Sequence, residues 1–155
     1  MYLGVGRLRV GSVVTALALL CAPSLASASG PRLIEAVKAG DEVAIKRLAT
    51  SAADVNAAEV DGTTALHWAV RADDVETVRV LMRAGADPKA ANRYGVTPLM
   101  LAVENGNLAL VDTFLAAGAD PNTTLPEGET VLMTAARTGR GDVITRLLKS
   151  KSDGS

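Results

Sequence analysis

The feature that most constrains the fold of this chain is an interval of 33 residues, kept by Gly62, Gly95 and Gly128. Leu33, Leu66, Leu99 and Leu132 share that spacing, as do Ala36, Ala69, Ala102 and Ala135. Asp54, Asp87 and Asp120 keep it too, each after an alanine. In the second half of each unit Ile45, Val78, Val111 and Ile144 align, followed by Leu48, Leu81, Phe114 and Leu147. Self-similarity at such a period belongs to stacked repeats, in which no unit can bury its apolar surface alone.

One unit shows what is being repeated. Thr97-Pro98 reads as an N-cap followed by proline at the first helical position, where a missing N–H costs nothing. Leu99, Ala102 and Val103 mark one face of a short first helix, and Gly106-Asn107 ends it. A second helix is predicted from about Leu108 to Ala116, with Val111, Phe114 and Leu115 at helical spacing. Gly118 closes it as a left-handed C′ residue. Residues 119–129, rich in Pro, Asn, Thr and Gly, read as an extended hairpin loop leading to the next unit. The predicted fold is an all-α solenoid of paired antiparallel helices joined by β-hairpin-like loops. Ala102 and its equivalents let neighbouring first helices approach closely, and a larger side chain there costs about 1–3 kcal/mol.

Composition agrees. Apolar residues make up 48% of the chain but aromatics only 3%, so the core is built of Ala, Leu and Val, as closely packed helices require. Part of that apolar mass lies outside the repeats. Arg7 and Arg9 precede an apolar stretch from Val10 to Ala22, Pro23 breaks it, and Ala26-Ser27-Ala28 forms a cleavage site. Residues 1–28 therefore read as a cleavable signal peptide, and the chain as exported, to a periplasm or to the outside. The alternative, a retained anchor, needs about 20 apolar residues. This run is shorter and is interrupted by Gly11, Ser12 and Thr15, so no stable membrane span is expected after cleavage. Leu20 is too bulky to favour lipidation of Cys21.

Cys21 is the only cysteine, so a chain starting at Ser29 has no disulfide and depends on helix packing. Removing Arg7 and Arg9 from 16 basic residues leaves 14 against 17 acidic ones, a net charge of −3. There is no cationic field for a nucleic-acid backbone, and no nucleic-acid partner is expected.

The segments Gly62 to Ala69 (GTTALHWA), Gly95 to Ala102 (GVTPLMLA) and Gly128 to Ala135 (GETVLMTA) resemble the ankyrin repeat signature. Gly85-Ala86-Asp87 and Gly118-Ala119-Asp120-Pro121-Asn122 are similar to its connector. The resemblance runs from residue 31 to about residue 150, in units of about 31–60, 61–93, 94–126 and 127–155 within a domain of residues 29–155. It implies a protein-binding scaffold without catalytic activity or cofactor. Residues 31–60 lack a preceding hairpin, as an amino-terminal capping unit should. Three positions depart from the pattern. Ala52 stands where later units have Gly85 and Gly118, which predicts a strained or differently shaped first connector. Asp73 replaces the glycine of Gly40, Gly106 and Gly139, and Lys89 takes the place of Asn56 and Asn122.

His67, the only histidine, falls where the family has a histidine that bonds across neighbouring turns, and with no cysteine partners it makes a poor metal site. No base and orienting group can be assigned to any serine or threonine. Arg140-Gly141-Asp142 spells an adhesion-like string but falls at an interhelical turn.

Binding potential is assigned to the inner face implied by the resemblance, made of first helices and hairpin tips. Periodicity puts Trp68, Leu101 and Thr134 in one outward-facing column, Arg71, Glu104 and Arg137 in a second, and Ala72, Asn105 and Thr138 in a third. The tips add Val60, Asp61, Arg93, Tyr94, Pro126 and Glu127. The candidate contact set is Trp68, Arg71, Arg93, Tyr94, Leu101, Glu104, Asn105, Glu127 and Arg137, with Trp68 and Tyr94 as anchors. Alternatively, the two aromatics pack on each other as part of the fold. The expected function is a monomeric scaffold binding another protein through its concave face. The other reading is the amino-terminal part of a longer exported protein, positioning a further catalytic or membrane-associated region. Residues 127–155 are expected to be the least protected part of the stack.

Overall fold

Single residues start and stop the helices in the computed structural model, which describes residues 29–153. The expected signal segment, residues 1–28, lies outside the described residues. The helices are α1 (Ser29–Ala39), α2 (Glu42–Leu48), α3 (Ala52–Val55), α4 (Ala65–Arg71), α5 (Val75–Arg83), α6 (Pro98–Asn105), α7 (Leu108–Ala116), α8 (Val131–Thr138) and α9 (Gly141–Asp153). Thr97 and Thr130, both extended, cap α6 and α8 by accepting from the N–H groups of Met100 and Met133 at 3.4 and 3.1 Å. Asp41, Asp74 and Asn107 do the same for α2, α5 and α7. Each such cap contributes about 1 kcal/mol. At the end of α7 the Gly118 N–H donates to Leu115 at 3.0 Å and the Ala119 N–H to Phe114 at 2.9 Å. That closure needs the left-handed backbone of Gly118, whose φ is 82°.

The first helices α1, α4, α6 and α8 stand in a row, each packed on the next. Ala36, Ala69, Ala102 and Ala135 are buried along that seam, and Leu33, Leu66 and Leu99 are buried beside it. Behind the row, Ile45, Val78, Val111, Phe114 and Leu147 fill the space contributed by the second helices. The 33-residue columns are therefore the columns of the core. Between the pairs the chain turns back through short antiparallel bridges, Ala58 with Thr64 and Thr124 with Thr130. Successive tips are tied together, since the Arg93 N–H donates to the Asp61 carbonyl at 2.7 Å and its guanidinium to the Val60 carbonyl at 2.8 Å.

The departures resolve individually. Ala52 begins the short helix α3, capped by Ser51, so the first connector is differently shaped and its backbone is unstrained at that residue. Asp73 adopts the left-handed conformation at φ 56°, close to the 67°, 68° and 69° of Gly40, Gly106 and Gly139. Asn56 bridges two connectors, donating to the Gly85 carbonyl at 2.8 Å and accepting from the Asp87 N–H at 2.7 Å. At the matching position Lys89 runs its ammonium alongside Gly118. Among the described residues no helix is long and apolar enough to cross a membrane.

Candidate functional site

Helix α4 carries Trp68 and Arg71 on its inner side. The Trp68 indole N–H donates to Glu59 Oε2 at 2.8 Å, and Lys38 Nζ holds the other oxygen of the same carboxylate at 2.7 Å. Those two bonds keep Glu59 below the usual carboxylate range, and the bond to Glu59 raises Lys38 above the usual lysine value. The Lys38 ammonium lies 4.5 Å from the centre of the Trp68 ring and the Arg71 guanidinium 5.6 Å from it. Cations at these distances are attracted by the ring quadrupole. Trp68 is thus fixed along one edge and half-buried.

Tyr94 sits at the tip of the next hairpin and is 59% exposed. Asn92 shapes that tip, its side-chain oxygen accepting from the N–H groups of Tyr94 and Val96, both at 3.0 Å. Trp68, Tyr94, Leu101, Arg71 and Asp61 line a hollow of about 290 Å³ between the two units, with His67 beneath. The aromatics face one shared cavity, and Tyr94 keeps most of its surface open.

The sequence model of a family described as ankyrin repeats (3 copies) matches residues 33–125 and, again, residues 99–155. The chain belongs to the ankyrin-repeat family. No curated protein matches it closely enough to count as a relative. Ankyrin repeats are generally protein-interaction modules, and the helix pairs described above form the repeat solenoid that the family implies.

Within this ankyrin stack the hollow gathers four of the nine sequence candidates, Trp68, Arg71, Tyr94 and Leu101. The outward-facing assignment of the first column needs correction. Leu101 is only 6% exposed and Thr134 only 5%. The Leu101 side chain lies in the floor of the hollow that the larger rings of Trp68 and Tyr94 also line. Thr134 turns its hydroxyl to Glu129 at 2.9 Å. The second column is exposed as expected, with Arg137 3.6 Å from Glu129.

Other candidates lie outside the hollow. Arg93 ties adjacent tips, and Glu127 is exposed in the last hairpin. Glu104 is exposed on α6. Asn105 is exposed too, but its amide donates to the Val70 carbonyl at 2.6 Å, so it also holds α6 to α4. Sequence reasoning missed Glu59 and Lys38, the groups that hold Trp68. Lys38 stands 33 residues before Arg71 and so belongs to the second column, whereas Glu59 aligns with Asn92 and Leu125 and its charge is not repeated. Packing of α1 and the first hairpin against α4 brings the two to the indole.

His67 serves the scaffold. Its Nδ1 accepts from the Thr64 N–H at 3.2 Å, so the proton sits on Nε2, which donates to the Val96 carbonyl at 3.1 Å. Burial pushes its pKa below the ordinary imidazole value. In Arg140-Gly141-Asp142 the arginine lies between α8 and α9, folds back onto the aspartate in the first turn of α9 at 3.3 Å and packs against Gly106.

Proposed function

We propose that this chain binds another protein through the concave face formed by α4, α6 and their hairpin tips. Trp68 and Tyr94 act as anchors. The observation that carries the reading is the open hollow they share, where an exposed aromatic stands opposite a pre-oriented one. Large rigid side chains gain contact area at low entropic cost; Glu59 already holds the Trp68 indole, and Asn92 fixes the backbone that carries Tyr94.

A photo-crosslinking amino acid placed at Tyr94 of the full chain tests this. Val43, 78% exposed on α2 at the back of the stack, serves as the control position. The expected result is a defined protein adduct in the native compartment from position 94 that position 43 does not give. The same adducts from both positions would remove the concave face from consideration.

The same reading places the protein outside the cytoplasm and treats it as a monomer. Support for export is the basic and apolar run ending in Ala26-Ser27-Ala28, followed at Ser29 by the start of α1. Mass spectrometry of protein isolated from its source should find Ser29 at the amino terminus, and a terminus at Met1 would overturn export. Light scattering of that protein should give the mass of one chain.

A further inference from the structure

The hollow is selective in what it leaves free to address a ligand. Asn92 spends its side-chain oxygen on two backbone N–H groups, and both ring nitrogens of His67 are engaged. Asp61 accepts from the Thr63 N–H at 2.9 Å. That bond, together with the nearby Arg93 charge, holds its carboxyl below the usual range. By contrast, among the described residues no carboxylate pairs with Arg71, which is exposed at the rim beside the Trp68 ring. The Tyr94 hydroxyl likewise has no hydrogen bond there, on a side chain 59% exposed. The donors left without a partner are therefore a guanidinium and a phenol, and the carboxylate that shares the hollow, Asp61, has one oxygen on the Thr63 N–H. Below them lie the apolar surfaces of Trp68 and Leu101.

A cation finds poorer terms. The face of Trp68 would be its natural seat, but Lys38 at 4.5 Å and Arg71 at 5.6 Å already occupy the ring's surroundings. Of those two, Lys38 is neutralised by Glu59 at 2.7 Å, whereas Arg71 has no ion pair among the described residues and shares the hollow with Asp61.

We infer that the hollow receives an acidic segment of the partner protein, in which an apolar side chain fills the cavity while an adjacent Asp or Glu carboxylate pairs with Arg71 and accepts from Tyr94. The inference rests on the concave-face reading and adds the chemistry of the partner. The carboxylate meets a planar donor fork at the rim, a geometry suited to bidentate pairing. The neighbouring apolar group removes Leu101 and Trp68 surface from water.

A random peptide library displayed on phage, selected on the full chain and counter-selected on Tyr94→Ala, tests the inference. Selected peptides should carry Asp or Glu next to an apolar residue, and their binding should change the fluorescence of Trp68, the only tryptophan. Arg71→Gln should weaken the consensus peptide about three- to tenfold, with the difference shrinking as salt is raised. Tyr94→Phe should weaken it by a smaller factor, and Asp61→Asn should leave it unchanged or tighten it. Tyr94-dependent peptides that are basic, or that bind Arg71→Gln as well as the parent, would overturn the acidic segment and leave the concave face standing. Failure to select any Tyr94-dependent peptide would count against both.

Discussion

His67 Nε2 donates to the Val96 carbonyl oxygen at 3.1 Å, across the seam between the second and third units. The other ring nitrogen accepts from the Thr64 N–H, so one neutral imidazole links the start of α4 to the following hairpin. Protonating Nδ1 would turn an acceptor toward a donor. Asp61 favours the charge and Arg71 opposes it, but burial is the largest influence and lowers the pKa.

This arrangement predicts a pH dependence of stability. The unfolded histidine takes up a proton below about pH 6.5, whereas the folded one resists until lower pH. Stability is therefore full above that value and falls as the pH drops below it, by at most about 1.4 kcal/mol per pH unit until the folded pKa is reached. Urea denaturation at neutral and mildly acidic pH should show the loss. His67→Gln should lower stability at neutral pH and flatten the decline. An imidazole titrating at its ordinary pH by NMR would contradict the account.

Asn56 predicts a second effect, since its side chain bridges Gly85 and Asp87 across two connectors. Asn56→Ala should cost about 1–3 kcal/mol in urea unfolding. Lys89 occupies the same register one unit later, beside Gly118, with only its backbone N–H bonded to Asp87. Lys89→Asn should rebuild the bridge and add about 0.5–1.5 kcal/mol. A loss on that substitution would mean the second connector cannot take the first one's geometry.

Asp73 is the only described non-glycine residue with positive φ, at 56°, and its carboxylate accepts from the Asn107 amide at 2.8 Å. Asp73→Ala should lose about 1–2 kcal/mol, because a Cβ without a local polar partner is disfavoured there. Asp73→Gly should match or exceed the parent, since glycine meets the conformation without strain. Equal losses for both variants in thermal unfolding would shift the explanation from the backbone to the bond with Asn107.

The pair α8 and α9 should be the least protected of the described helices. Among the described residues their main packing partners beyond each other are α6 and α7, and Met133 and Leu148 are 58% and 49% exposed. Stack stability is roughly a sum of unit and neighbour contributions. The first pair also has one neighbour but gains the Lys38–Glu59 bridge to the hairpin before α4. Amide hydrogen exchange should run faster in residues 131–151 than in α4 to α7. Equal protection would show that the fourth unit is stabilised from within.

The register of this fold was legible because its determinants are local. A threonine or asparagine cap, a proline at the first helical position and a left-handed glycine act within one turn. α6 and α7 therefore begin and end where Thr97-Pro98, Asn107 and Gly118 predict. The buried Leu and Ala columns follow from the same spacing, since equivalent positions in stacked units meet equivalent neighbours.

What the tertiary structure alone decided is how each position is covered. Periodicity placed Trp68 and Leu101 in one column. In the stack Leu101 is buried in the floor of the hollow, while Trp68 remains half-exposed and held by Glu59. Lys38 reaches the indole from α1 and Glu59 from the first hairpin; the 33-residue interval aligns Lys38 with Arg71, but only the packed units show that it meets Glu59 at Trp68. Ala52 could have strained its connector, but a helical turn absorbed the difference; Asp73 kept the glycine geometry instead. Caps and turns are settled by atoms a few residues apart. Exposure and charge pairing depend on which surfaces meet after the units stack, and that determines whether a side chain faces the core, its neighbour or a partner.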